Sequence, residues 1–269
     1  MTLRSVWDVV DGMRVHGRVG DPASARSGAG PHGIVFVHGL GMSTRYLEPT
    51  MLAAQSLGFA VSGLDLPGFG ESRLRGRVLT LGELANALVG WIRVRGIESP
   101  IVVGQSHGCQ VVVEAATRAP RLMAGLLLNA PTMLAGHRSV LGMLGRVILD
   151  SPREPFALVP HVLQDYLRAG PARIFTTLRD ALRDRIEEKL PRIQVPVMIV
   201  CGMRDPVSPP AWGSRLASLA GSSVGAAVTA ATFRAVPGAA HAVPFSHPDV
   251  VSGEIAELAA RLEARTSPR

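Results

Sequence analysis

Three short segments of the chain carry residues that together could perform acyl transfer. Gly104-Gln105-Ser106-His107-Gly108 places a serine between two glycines. Cys201-Gly202-Met203-Arg204-Asp205-Pro206 offers an acid, and Pro237-Gly238-Ala239-Ala240-His241 a histidine. A serine hydroxyl is a weak nucleophile unless a base takes its proton, and the base works best when an acid fixes its tautomer. The order Ser106, Asp205, His241 meets that need. A fourth segment, His38-Gly39-Leu40-Gly41, could add a backbone amide from Leu40 to that of His107, and such a pair stabilises a developing oxyanion.

The pentapeptide alone is weak, because the chain holds 29 glycines. Its setting carries the argument: an apolar strand candidate, Ile101 to Gln105, precedes it and a helix candidate starts at His107. A sharp turn between strand and helix presents the serine above the sheet edge, at a helix N-terminus that favours negative charge. Asp205 and His241 likewise follow the strand candidates Val195 to Gly202 and Thr232 to Val236. Loops at the carboxyl ends of parallel strands are where sites gather. Rival acids are poorer: Asn129 and Ala130 follow the strand at Gly125 to Asn129, and Asp150 and Asp165 lie in a region without strands. The His38 ring is expected to hold the glycine loop in shape without moving protons. The Asp65 to Ser72 turn is expected to be structural, and Cys109 to be a small packing residue.

The elements that must position these residues follow from patterning. Ile34 to His38, Ala60 to Leu66 and the strands already named are apolar almost throughout, as strands buried on both faces are. Helix-period stretches fall between them, which predicts an α/β fold with a mostly parallel, doubly wound sheet. Trp7 to Val19, with a turn at Asp11-Gly12, predicts an antiparallel start. Thr80-Leu81-Gly82-Glu83 is a capping box opening a helix that ends near Gly96. Further helices are expected at 46–57, 107–118, 210–220 and 248–265, and Ala220 to Thr232 reads as a helix end and loop. From Pro131 to Leu190 no strand is evident, so a helical insertion is expected, its last helix capped by Thr177 with Leu178, Leu182 and Ile186 as a stripe and Arg183 paired to Glu187.

With 269 residues, 47% hydrophobic and 18% charged, the chain can bury a large core, which excludes a disordered or fibrous protein. The net charge is +7 and Lys189 is the single lysine. The arginines are scattered, without the runs and interleaved aromatics of a nucleic-acid surface. Nucleic acid is therefore not an expected partner. No apolar run is long enough to span a bilayer, and the first residues lack the core of a signal peptide. Two cysteines make no disulfide framework. These readings predict a cytoplasmic protein without membrane attachment, a monomer or homodimer acting on a small molecule.

The glycine loop, the Asp65 to Ser72 turn, the serine elbow, the acid loop and the histidine loop followed by His247-Pro248 resemble the α/β-hydrolase superfamily over nearly the whole chain. The resemblance implies a core domain of residues 1–130 and 191–269 and a helical lid (cap) of residues 131–190. It also implies Ser106, Asp205 and His241 as catalytic residues, the amides of Leu40 and His107 as the oxyanion hole, and no metal or organic cofactor. Gly39, Gly41, Phe156, Tyr166, Phe175 and Val243 become candidate substrate contacts. Epoxide hydrolases and haloalkane dehalogenases of this fold carry aspartate where Ser106 stands. Carbon-carbon hydrolases of meta-cleavage products usually carry tryptophan where this chain has Ala242. The expected activity is hydrolysis of a carboxylic ester, lactone or thioester of a medium-sized apolar molecule. An acyltransferase, cyclase or carbon-carbon-cleaving enzyme on the same three residues is the alternative. Lid arginines such as Arg146, Arg173 and Arg179 are candidates to meet an anionic substrate group.

Overall fold

A computed structural model describes residues 1–22, 32–132, 136, 138–221 and 231–266. Its centre is an eight-stranded sheet in the order β1-β2-β4-β3-β5-β6-β7-β8. The strands are β1 Arg4–Val10, β2 Met13–Gly20, β3 Ile34–Val37, β4 Val61–Leu64, β5 Ile101–Gln105, β6 Gly125–Asn129, β7 Val197–Gly202 and β8 Thr232–Val236. β1 and β2 form the expected antiparallel hairpin, with Asp11 and Gly12 both at positive φ in its turn. β2 pairs antiparallel with β4, and every pair from β4 to β8 is parallel.

Side chains alternate along each parallel strand, so one strand feeds two layers of core. Val35, Val37, Val102, Leu126, Leu128, Val197 and Ile199 pack on one side with Leu84, Leu88, Trp91, Val112, Trp212 and Leu216. Ile34, Phe36, Ile101, Val103, Leu127, Met198 and Val200 pack on the other with Met51, Val251, Ile255 and Leu258. Both faces being covered explains why these strands are apolar without a polar alternate.

The covering helices are α1 Glu48–Ser56, α2 Leu81–Val94 and α3 His107–Arg118, then, after the interval between β6 and β7, α8 Pro210–Gly221 and α10 Pro248–Thr266. The capping box of α2 is present: Thr80 Oγ1 accepts the Glu83 amide, and Glu83 Oε2 accepts the Thr80 amide at 2.8 Å. Between β6 and β7 the described residues form α4 Val140–Asp150, α5 Val159–Ala169, α6 Pro171–Ala181 and α7 Ile186–Lys189. The short α9 spans Val243–Ser246.

This helical interval is tied to the rest of the chain at several points. Asp180 Oδ2 accepts the Leu81 amide at the start of α2 at 2.6 Å, and Gln110 Nε2 on α3 donates to the Ala181 carbonyl and Asp184 Oδ2, both at 3.0 Å. Ser43 Oγ donates to Asp165 Oδ2 at 2.6 Å. The interval's last helix differs from expectation. Thr177 lies inside α6 with its hydroxyl buried and unpartnered, the helix stops at Ala181, and Ile186 begins a separate turn. Glu187 pairs with Arg138 at 2.6 Å, not with Arg183. The break after Ala181 leaves Arg183 in the turn between α6 and α7 while Glu187 is on α7, which removes the one-turn geometry their pairing required. Of the expected loop at Ala220 to Thr232, residues 222–230 lie outside the described residues.

Candidate active site

The turn from β5 to α3 explains the two glycines around Ser106. Ser106 sits at φ 57° and ψ −120°, a conformation that L residues rarely adopt and that stores of order 1–3 kcal/mol. Its amide donates to the Asn129 carbonyl on β6 at 2.9 Å, which anchors the turn. A Cβ at Gly104 would stand 2.9 Å from the backbone of Cys109, and one at Gly108 would run into the Val37 carbonyl oxygen. Any side chain at either position would therefore open the turn. Cys109 fills the space behind it, its Sγ 3.2 Å from the Gly104 carbonyl and 3.3 Å from that of Asn129. Burial pushes its thiol well above the usual range, as expected of a packing residue.

The three candidate residues, separated by as many as 135 positions, meet in a line. His241 Nε2 lies 2.9 Å from Ser106 Oγ and His241 Nδ1 lies 2.8 Å from Asp205 Oδ2. With the ring neutral, Nδ1–H donates to the carboxylate and Nε2 is left to accept the serine proton. Asp205 is buried, and its Oδ1 accepts the amides of Val207 at 2.7 Å and Ser208 at 2.8 Å. That turn is why an acid stands before Pro206: the carboxylate closes its own loop and points the other oxygen at the histidine. Burial alone would lower the proton affinity of His241. The charge and hydrogen bond of Asp205, with the charges of Asp150 and Glu154, outweigh burial and raise its pKa to about 9.

The glycine loop lies against the serine, since a Cβ at Gly39 would be 3.2 Å from Ser106 Cβ. The Gly39 amide donates to Tyr46 Oη at 3.1 Å. Among the described residues no protein acceptor is recorded for the Leu40 amide, and the His107 amide, first in α3, has none within its helix. His38 Nδ1–H donates to the Gly39 carbonyl at 2.8 Å, and its Nε2 accepts the Leu66 amide at 2.9 Å. Both ring nitrogens are thereby used by backbone, and burial holds its pKa below the usual value. The ring keeps the loop in shape, as the sequence suggested. The His107 ring is buried and hydrogen-bonded to Gln110 Oε1 at 3.0 Å, with its pKa lowered by burial. It braces α3 from within.

The other expected contacts divide. Tyr166 on α5 stands against Gly41, where a Cβ would meet its Cε1 at 2.7 Å. Gly39, Gly41 and Tyr166 thus gather beside the serine loop. Phe156 does not, being 92% exposed. Phe175 is half exposed with the Arg179 guanidinium 5.8 Å from its ring centre. Val243 is wholly buried in the α1 and α10 layer, so its surface is taken up by core. Arg146 donates to the Pro206 carbonyl at 2.5 Å, and Arg173 to the carbonyls of Leu74 at 2.5 Å and Arg77 at 3.0 Å. Both are committed to bracing the chain.

Four residues have roles that the sequence does not show, two of them, Asn129 and Asp150, entering it only where a rival acid was sought. Gln105 Nε2 donates to the His241 carbonyl at 2.9 Å, and Asn129 Nδ2 donates to Gln105 Oε1 at 2.9 Å. Glu154 Oε1 accepts the Ala242 amide at 2.6 Å, and Asp150, buried at the end of α4, stands four residues before it. Only the polar character of Gln105 and Asn129 at the ends of otherwise apolar strands could have signalled them. A polar side chain buried there needs a partner.

A mostly parallel sheet covered on both faces, with a strained serine after β5 and its acid and histidine after β7 and β8, defines the α/β-hydrolase class. The chain belongs to the α/β-hydrolase family, whose model matches residues 34–254. Over 251 residues it is 23% identical to an uncharacterized hydrolase, YugF, of Bacillus subtilis, a match covering 84% of this chain and 89% of that one. A shorter stretch of 124 residues is 33% identical to the dihydrolipoyllysine-residue acetyltransferase component of the acetoin cleaving system of Cupriavidus necator. That match spans 45% of this chain and only 30% of that relative. Among solved structures, a thermophilic esterase from Thermogutta terrifontis superposes with a TM-score of 0.72 at 20% identity, covering 96% of this chain and 99% of that one. That likeness is one of fold. Among the described residues no helix is long and apolar enough to cross a membrane.

Proposed function

We propose that the protein is a serine hydrolase that cleaves the carboxylic ester, lactone or thioester bond of a small molecule. The observation that carries this reading is the line from Ser106 Oγ through His241 to Asp205, with contacts of 2.9 and 2.8 Å. In this reading Ser106 Oγ attacks the carbonyl carbon while its proton passes to His241 Nε2. The carbonyl oxygen takes the negative charge and is held by the amides of Leu40 and His107. The tetrahedral species collapses, the leaving oxygen or sulfur takes the proton from His241, and an acyl-serine remains. Water then attacks the acyl carbon, His241 takes and returns the proton again, and the carboxylic acid leaves. Asp205 keeps Nδ1–H facing itself and steadies the imidazolium.

The helices from α4 to α7 serve as the lid of this site. Supporting that role are Tyr166 against Gly41, the Ser43 to Asp165 hydrogen bond and the Glu154 hold on Ala242. The esterase whose fold this chain shares is consistent with an acyl substrate.

Fluorophosphonate labelling followed by peptide mass analysis tests the reading without knowledge of the substrate. Modification is expected on Ser106 in the wild-type protein and not in Ser106→Ala. Folded protein that takes no label at Ser106 would overturn the reading. A panel of acyl esters, lactones and thioesters then locates the bond class. Labelling without turnover on the whole panel would move the assignment to acyl transfer or carbon-carbon cleavage.

A further inference from the structure

A second pair of carboxyl groups stands beside the site and takes no part in the mechanism above. Asp150 ends α4 and is 6% exposed. Glu154, four residues on, accepts the amide of Ala242 with Oε1 at 2.6 Å, directly after His241. The remaining oxygens, Asp150 Oδ1 and Glu154 Oε2, are buried and have no donor partner. Through the Ala242 amide and through their charges, these two buried acids bear on the ring of His241.

We propose that Asp150 and Glu154 are a positioning pair, which holds the His241 loop through the Ala242 amide and, by its charge, governs when the His241 imidazole is free to act as a base. This rests on His241 being the base of the proposed hydrolase. The groups that act on Asp150 are His241 and Asp205, from the loops after β8 and β7, and Glu154 from its own segment. Arg146 on α4 is engaged by the Pro206 carbonyl, and Arg153 is exposed. Burial first, then the repulsion of Glu154 and Asp205, raise Asp150 to about 7 against the opposing pull of His241. The charges of Asp150 and Glu154 both favour the imidazolium form of His241 and act together with that of Asp205. The lid thus reaches the base through its charge as well as its shape.

The test follows the His241 ring by NMR as a function of pH, in full-length protein, with the signal assigned by its loss in His241→Gln. Asp150→Asn and Glu154→Gln each remove one charge and keep a group that can hydrogen-bond in the same place. Each is expected to lower the His241 midpoint by at least about half a pH unit, and the double variant by more. The two single variants back each other up should one not fold. Titration curves in a folded variant that superpose on the wild type would overturn the proposal, because a purely structural role costs stability without moving the midpoint. The measurement needs no nucleophile, so failure of fluorophosphonate labelling, which would sink the hydrolase reading, is a separate result.

Discussion

Gln105 Nε2 donates to the His241 carbonyl at 2.9 Å, so the residue just before the serine fixes the backbone of the histidine that serves it. Asn129 in turn orients Gln105. The ends of β5 and β6 and the loop after β8 are thereby linked by a relay of side-chain amides. Gln105→Ala is expected to leave the His241 carbonyl unsatisfied, at about 1–3 kcal/mol of stability. Urea unfolding measures that cost. The rate of fluorophosphonate labelling should fall about tenfold or more as the ring loses its setting. A labelling rate equal to wild type would show that Asp205 and the Glu154 hold on Ala242 position the ring without Gln105.

The raised pKa of His241 sets the direction of the pH dependence. The free enzyme needs a neutral ring to accept the serine proton, so labelling should climb through about pH 9 and be slow at pH 6. Asp205→Asn removes the largest stabilising charge and should move that rise toward lower pH, while its plateau falls about ten-thousandfold as the tautomer is lost. The same shift has a consequence for folding. A group held above its unfolded value near 6.5 stabilises the native state fully below that value, and the contribution is lost as pH rises through about 9. Stability curves of wild type and His241→Gln, compared at pH 6 and 10, check the sign.

Strain at Ser106 gives a prediction in which stability and activity part. Ser106→Gly removes the Cβ that makes φ 57° costly, and should raise the unfolding free energy by up to about 1 kcal/mol after glycine's own entropy is counted. It should also abolish labelling completely. A glycine variant less stable than Ser106→Ala would mean that the turn is not strained.

Asp65 tests the structural reading of its turn. Its carboxylate is buried and accepts His16 Nδ1 at 2.8 Å, the Thr44 amide at 2.8 Å, Thr44 Oγ1 at 2.7 Å and the Glu71 amide at 2.9 Å. Burial pushes its pKa up, and these hydrogen bonds more than reverse that, leaving it well below the usual carboxylate range. The stability it supplies is present above its unfolded value near 3.8 and is lost as pH falls toward the folded one. Asp65→Ala should cost about 3–5 kcal/mol by thermal or denaturant unfolding, a large fraction of a typical total. A loss below 1 kcal/mol would contradict the account.

What could be read from the residues alone follows a physical line. β5, β6 and β8 were placed to the residue because apolar runs bounded by turn residues are local signals. The Ser106, Asp205 and His241 loops were legible because a parallel sheet forces its loops to one edge. The α6 to α7 region was misread because Thr177 has the residue type of a cap and the burial of an interior position. Phe156 is a candidate contact only through the resemblance, and nothing local says that it faces solvent. Glu154 and Ala242 lie 88 positions apart, and no spacing rule links an acid on one helix to an amide on a distant loop.

Ser106 and His241 touch across 135 positions, and β8, which delivers the histidine, is the last strand of the chain and forms one edge of the sheet. Contacts so distant in the chain are the slowest to form in folding. The elbow, with its strained serine, can thus be assembled from β3, β5, β6 and α3 while the base is still missing. An incompletely folded chain of this protein would hold a shaped but inert hydroxyl, and would acquire its chemistry only with the closing strand. A serine-directed probe therefore reports whether the edge strand β8 is in place, and is silent about the β1–β2 hairpin at the opposite edge.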